Sequence, residues 1–368
     1  MEVIRKNFNM DVFELLSDCS SFDERFISLK GLPGMLSAKG EINRIYNSWS
    51  GFDEDFVKQF QTLNFEARLW ELYCYEFFKD QEFVVEPCNE NRPDFSLLKN
   101  GREIVVESVT SNESGKRTKQ IYLNTLERED RIDFKTRIGS ALFSKLNKEY
   151  HKLEWVKNKP LIIAIQPYHS AESFNMNVYT MVSYLYGIDI SKEKLANGEI
   201  LTRFLKGKNF KRNHNGEVIE IDAYFNLEMS KYISGVLFTN TATLGKFSRM
   251  GYQNGFGVDD TLGIIYTGAC YAENEIEPRQ FSINIGKTGF DNYRYGVTLF
   301  HNPNAICPIN DEDFMCTQVK FINNEIYWKR LGFYPYSGKN IRLIRNLSRE
   351  GKKINNSFLG NNAFNEEE

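Results

Sequence analysis

Residues 92–112 read Arg92-Pro-Asp-Phe-Ser-Leu-Leu-Lys-Asn-Gly-Arg-Glu-Ile-Val-Val-Glu-Ser-Val-Thr-Ser-Asn112, and this stretch decides the fold. Asn100-Gly101 sits between two apolar runs and predicts a two-residue hairpin, because a type I′ turn needs positive φ at both central positions. Asp94 and Glu107 lie about equally far from that turn, so the hairpin is expected to bring both carboxylates to one end of a sheet. Glu107 follows Ile104-Val105-Val106, a run that reads as a strand covered on both faces. Ionised carboxylates beside such a core require a counter-ion or a metal, since unpaired burial costs several kcal/mol, roughly, per charge. Two carboxylates close together repel and invite a divalent cation.

Working outward, residues 62–79 are apolar almost all round and predict a buried helix with Asn64 as N-cap. A short strand is expected at 82–86, a helix over 133–152, and an apolar strand at 161–166 opened by Pro160. Helix, three strands, helix, strand is the order of a sheet re-entered through a helical crossover. The fold class is therefore α/β, a mixed central sheet flanked by helices. Farther on, 177–186 reads as helix, 234–239 and 296–300 as strands that extend the same sheet, and 317–328 as a hairpin around Asn323-Asn324. The expected organisation is a helical segment at 1–60, a core at 61–170, a sheet-extending region at 171–350 and a polar, Asn-rich tail at 351–368.

The 368 residues include 29 Phe and 19 Tyr, far more aromatic surface than a solvated chain carries. No apolar run is long enough to span a bilayer or to act as a leader, so no membrane partner is expected. The six cysteines form no Cys-x-x-Cys pair and the four histidines are scattered; this argues for a reducing, cytoplasmic setting and for Mg²⁺ or Mn²⁺ held by carboxylates over zinc. No P-loop, dinucleotide fingerprint or Gly-x-Ser-x-Gly elbow occurs. The net charge is only −3, yet residues 116–160 carry twelve Lys or Arg against six acids. With two further basic runs at 203–212 and 338–353, this suggests a surface that faces a polyanion.

Pro93-Asp94 and Glu107, with twelve residues between the acids, resemble the motif of the PD-(D/E)xK nucleases, the restriction-endonuclease-like superfamily. The resemblance covers about 62–170. It departs at Val109, where the family usually has Lys. Trp70-Glu-Leu-Tyr, Arg92-Pro-Asp-Phe, Val106-Glu-Ser-Val-Thr-Ser-Asn, Lys145-Leu and Phe300-His-Asn-Pro-Asn-Ala305 look like a little-characterised bacterial branch that lacks this Lys. The resemblance implies a restriction-endonuclease-like core with C-terminal strand extensions. It implies Mg²⁺ or Mn²⁺ on Asp94 and Glu107, completed by Glu71 of the first long helix with Glu66 in reserve, and hydrolysis of nucleic acid, with DNA favoured. Restriction or phage defence, as a homodimer or with a defence-system partner, is the setting it suggests.

Lys145 on the crossover helix is the candidate replacement for the missing Lys, with Lys148 one turn away, and Gln166 is a candidate polar ligand from the adjacent strand. Lys116, Arg117, Lys119, Arg137 and Lys148 are expected to contact flanking phosphates. Each has an ordinary structural alternative: for Glu71 it is a salt bridge to Arg68 three residues earlier. The rival reading is a catalytically inactive nuclease-fold module that binds nucleic acid or a partner protein, for which Val109 is the best support.

Overall fold

The computed structural model describes residues 10–344 apart from 18, 20, 87–92, 113–125, 171, 177, 260 and 272–277. Four helices come first, α1 (Glu24–Gly31), α2 (Leu36–Asn47), α3 (Phe56–Gln61) and α4 (Phe65–Lys79). Strands β1 (Val84–Glu86), β2 (Phe95–Lys99) and β3 (Arg102–Ser111) follow, then helix α5 (Leu126–Leu146) and strand β4 (Leu161–Pro167). The rest comprises α6 (Val178–Tyr186), β5 (Ile188–Lys194), β6 (Ile200–Lys206), β7 (Asn209–Arg212), β8 (Val218–Ile221), β9 (Gly235–Thr239), α7 (Leu244–Gln253), β10 (Thr261–Cys270), β11 (Arg279–Asn284), β12 (Val297–His301), β13 (Thr317–Ile322), β14 (Glu325–Lys329) and β15 (Pro335–Ile344).

The molecule is mixed α/β, built on an eight-stranded sheet of order β1-β2-β3-β4-β9-β12-β13-β14. The β2–β3 hairpin turns at Asn100 and Gly101, with φ of 52° and 74°, and pairs Phe95 with Val106. Asn323 and Asn324 do the same for the β13–β14 hairpin, with φ of 51° and 66°. The crossover through α5 makes β3 and β4 parallel neighbours, and β9 continues parallel to β4.

Side chains on a strand alternate between faces, and here both faces are covered. Ile104 and Val106 of β3 and Ile162 and Ala164 of β4 join the core that contains α4 and the N-terminal helices. Val105, Ile163 and Ile165 join the core that contains α5 and α6. The indole of Trp70 in α4 donates to the Ala164 carbonyl at 3.2 Å, which locks the helix onto β4. Among the described residues no helix is long and apolar enough to cross a membrane.

Several boundaries differ from those read in the sequence. Asn64 precedes α4 but does not cap it with its side chain; its amide donates to Gln59 Oε1 instead. Helix α5 starts earlier than residue 133 and ends at Leu146, and residues 150–152 form a separate 3₁₀ turn after Glu149 adopts a φ of 50°. The strand expected from residue 82 begins at Val84, since Glu82 has a φ of 66°. Strands β9, β12, β13 and β14 do extend the main sheet, whereas β5–β6 and β7–β8 form separate hairpins and β11-β10-β15 a separate three-stranded sheet.

Helix α7 packs tightly on α2. The Ser37 and Ser248 hydroxyls meet at 2.9 Å, and a methyl group on Gly251 would lie 1.9 Å from the Ser37 carbonyl oxygen. Gly251→Ala is therefore expected to destabilise the protein by about 2–4 kcal/mol through forced separation of the helices. Urea unfolding of the variant against the wild type measures it.

Candidate functional site

The register that pairs Phe95 with Val106 puts Asp94 level with Glu107, one step beyond the end of the β2 ladder. The Ser108 N–H, which β2 no longer reaches, is taken by Asp94: Oδ2 accepts from Ser108 N at 2.6 Å and from Ser108 Oγ at 2.7 Å. The Asp94 carboxylate thus replaces a missing strand residue at the open end of the β2–β3 hairpin.

Glu107 stands two residues after Val105, on the same face of β3, and so turns toward α5. Its side chain is 4% exposed and pairs with Lys145 from the last turn of α5. Tyr150 in the following 3₁₀ turn donates its hydroxyl to the same oxygen, Oε1, at 2.7 Å. The other oxygen, Oε2, is buried without a hydrogen-bond partner. Burial pushes Glu107 up to about 7, the Asp94 charge adds to that, and Lys145 opposes it. Asp94 is likewise raised by burial, against the Ser108 hydrogen bonds and the nearby charges of Lys145 and Arg68.

Glu71 lies on the α4 side, where Arg68 Nη1 donates to its Oε2 at 2.7 Å. Arg68 also holds Asp53 and Gln59, each at 2.7 Å. Burial drives Glu71 up to about 8, with Arg68 pulling it back and Asp94 pushing it further. The structural alternative for Glu71, the pair with Arg68, is present in the molecule. Its charge still acts on the same cluster, with Asp94 in the middle.

Gln166 does not join Glu107. It continues the Ile162–Ala164 row of β4 toward α4, on the opposite face of the sheet, pairs in register with Thr110, and donates to the Pro167 carbonyl at 3.3 Å. Its Oε1 is buried and unpartnered as well. The reserve acid Glu66 pairs with Arg25. His169 bonds Ser111 at 2.9 Å and His301 bonds Gln318 at 2.8 Å, while Asn302 ties its turn to the carbonyls of Ser230 and Ile233.

The basic stretch is less available than its sequence suggests. Lys116, Arg117 and Lys119 lie outside the described residues. Lys135 is buried on Ser183 and Asn209 and pushed down to about 8 by that burial. Arg137 faces Asp133 at 3.7 Å, Lys152 pairs with Glu149 at 2.7 Å, and Lys159 pairs with Glu103. Arg131 and Lys148 are exposed. Surface pairs of this kind are weak and can exchange for phosphate, so the described part of the stretch presents paired bases beside the exposed Arg131 and Lys148.

Sequence reasoning missed Tyr150 and Ser108. Both sit next to residues that were singled out, Ser108 beside Glu107 and Tyr150 just past the Lys145 turn, but nothing in their types marks them.

No family model matches the chain, and no curated protein or solved structure matches it.

Among the described residues no three His, Cys, Asp or Glu side chains gather as an ion-holding group. Asp94 and Glu107 stand level at one end of the β2–β3 hairpin, and Glu107 keeps a buried, unpartnered oxygen. Mg²⁺ usually binds through one or two carboxylates and keeps several waters, so this set fits Mg²⁺ or Mn²⁺ and does not fit a closed zinc cage.

Because Glu107 and Glu71 titrate higher in the folded chain than in the unfolded one, the native state holds extra protons above the ordinary carboxylate range. Stability should therefore fall as pH rises from about 4.5 to about 8. Glu107→Gln is expected to remove about 1–3 kcal/mol of that fall, read from denaturant unfolding at the two ends of the range.

Proposed function

We propose that the chain is a metal-dependent nuclease with a restriction-endonuclease-like core, hydrolysing phosphodiester bonds of nucleic acid, DNA in preference. The observation that carries this is the Glu107 carboxylate, buried at 4% exposure with one oxygen on Lys145 and Tyr150 and the other unpartnered. The element order supports it too: a buried helix, a hairpin with Asp94 at its open end, a crossover helix and a parallel strand. The motif Lys is replaced by Val109, which packs partly buried on the α5 side, and Lys145 brings an ammonium group to that same side.

In this reading Asp94 and Glu107 hold the ion, with Glu71 adding negative charge from the α4 side. A bound Mg²⁺ or Mn²⁺ would polarise the scissile phosphate and lower the pKa of a bound water. Lys145 offsets charge that builds on the phosphate in the transition state. Tyr150 keeps Glu107 oriented, and Ser108 does the same for Asp94. Lys148 and Arg131, both exposed, would meet flanking phosphates in this reading. The setting in restriction or phage defence, and a homodimeric or defence-system partner, rest on the sequence resemblance alone.

One observation favours the rival reading of an inactive binding module: Ser108 already satisfies one Asp94 oxygen, and Lys145 and Tyr150 one oxygen of Glu107. The test is cleavage of DNA and RNA with Mg²⁺ or Mn²⁺. Asp94→Ala and Glu107→Ala are each expected to lose activity by at least about 100-fold, and Lys145→Gln to lose rate while keeping metal affinity. Equal cleavage by all variants removes the site. Nucleic-acid binding without cleavage under either metal selects the inactive module.

A further inference from the structure

Strand β14 ends the eight-stranded sheet opposite β1, and among the described residues no strand pairs with its outer side. Its ladder with β13 runs unbroken from Ile322–Glu325 to Gln318–Lys329, with no bulge to turn the edge away. The edge is five residues long, against three for β1. Such an edge offers unpaired N–H and C=O groups to another chain.

The turn decides which groups it offers. Asn323 and Asn324 have φ of 51° and 66°, the type I′ geometry in which the closing pair, Ile322 and Glu325, exchanges both main-chain hydrogen bonds. Alternation then points the main-chain groups of Glu325, Tyr327 and Lys329 at β13, and those of Ile326 and Trp328 outward. A contact on β13 agrees. The Tyr186 hydroxyl donates to the His301 carbonyl at 2.8 Å and to the Val319 carbonyl at 3.1 Å, so the Val319 carbonyl faces β12. Trp328, its partner across the ladder, therefore has its own main-chain groups on the open side.

Laid antiparallel against a second β14 about a two-fold axis at Tyr327, this sequence complements itself. Ile326 stands opposite Trp328, so the residues with outward groups exchange hydrogen bonds with each other, and a β-branched side chain meets an aromatic one. Glu325 stands opposite Lys329. Tyr327 meets its own copy at the closer, non-hydrogen-bonded spacing. A shift of one residue would set outward groups against inward ones, and a shift of two would leave one charge without its opposite. A lysine on an edge commonly blunts it, but here the strand carries the answering acid at its other end. Glu325, Tyr327 and Lys329 are all exposed. Glu325 takes the Tyr327 hydroxyl at 3.0 Å, and neither Glu325 nor Lys329 makes an ion pair among the described residues. The Lys329 charge acts on Asp311, which Lys320 already holds.

We infer that β14 is the interface of a symmetric dimer of this chain, joining two sheets edge to edge in the register centred on Tyr327. It shares no residue with the Asp94–Glu107 site, and its test needs neither nucleic acid nor metal, so failure of one reading leaves the other standing. An edge this short makes a small interface, so dimerisation in the range of about 1–100 μM is expected, read by sedimentation of the full chain over a concentration series. Lys329→Glu and Glu325→Lys each set like charges together at both ends of the interface, and each should weaken association by at least about tenfold. The double reversal restores opposite charges in this register and should return association to near the wild-type value. Urea unfolding of the same variants should match the wild type, since both positions are exposed. Tyr327→Cys, oxidised mildly with oxidised glutathione, should yield a disulfide-linked dimer that the wild type does not form. A monomer throughout the series overturns the inference. So does a dimer that the single reversals leave unchanged or that the double reversal fails to restore.

Discussion

Strand β3 is covered on both faces, and Glu107 lies in the middle of it. An acid in that position cannot be left to water, so the surrounding structure is built around compensating it. The crossover helix must end where Lys145 can reach the carboxylate, and the chain must turn at Glu149 so that Tyr150 can reach it too. On the other edge β2 must start late enough for Asp94 to take the Ser108 N–H. The path of α5 and the start of β2 are both constrained by one buried charge.

The same molecule shows what full compensation of a buried acid looks like. Asp291 is buried between Lys246, at 2.7 Å, and Arg249, at 2.6 Å, and Arg249 is in turn held by Asn340 at 2.8 Å. Burial alone would push Asp291 upward, but Lys246 and Arg249 together hold it below the ordinary carboxylate range. Glu107 and Glu71 each have one cationic neighbour and still stand well above that range, because burial outweighs that single cation and the Asp94 charge adds to it. Asp291 reads as a structural ion cluster. A set of acids kept short of counter-charge in a well-packed protein is the pattern that functional sites show.

Much of the fold was legible because its signals are local. Asn100-Gly101 specified the turn, the β3 run specified two-sided burial, and the apolar α4 specified a covered face. From the turn, simple counting placed Asp94 opposite Glu107. What escaped depends on facts that counting along the chain does not contain. Gln166 was expected beside Glu107, but strand alternation sends it to the α4 face, the side on which Glu71 lies. Lys135 and Lys145 share one helix, and only the packing shows that the first is buried on neutral groups while the second meets Glu107. Among the described bases of 116–160, some take acids close by in sequence and Lys159 takes Glu103, a partner distant in sequence. The β10–β11–β15 sheet has no clean alternation, and its small core of Ile264, Tyr266 and Ile285 gave little to read.

The arrangement at Glu107 also bears on how the missing motif Lys could be tolerated. Lys145 and Tyr150 both use Oε1, which leaves Oε2 as the oxygen an ion could take without breaking either contact. Under the proposed reading, the ammonium need not leave when the ion arrives. It stays on the α5 side of Glu107, where a lysine two residues farther along β3 would also have pointed, since alternation places residues 107 and 109 on one face. A helix-borne Lys can then replace a strand-borne one at little cost. The face receives the same charge from a different element, while Val109 is free to pack against the α5 core.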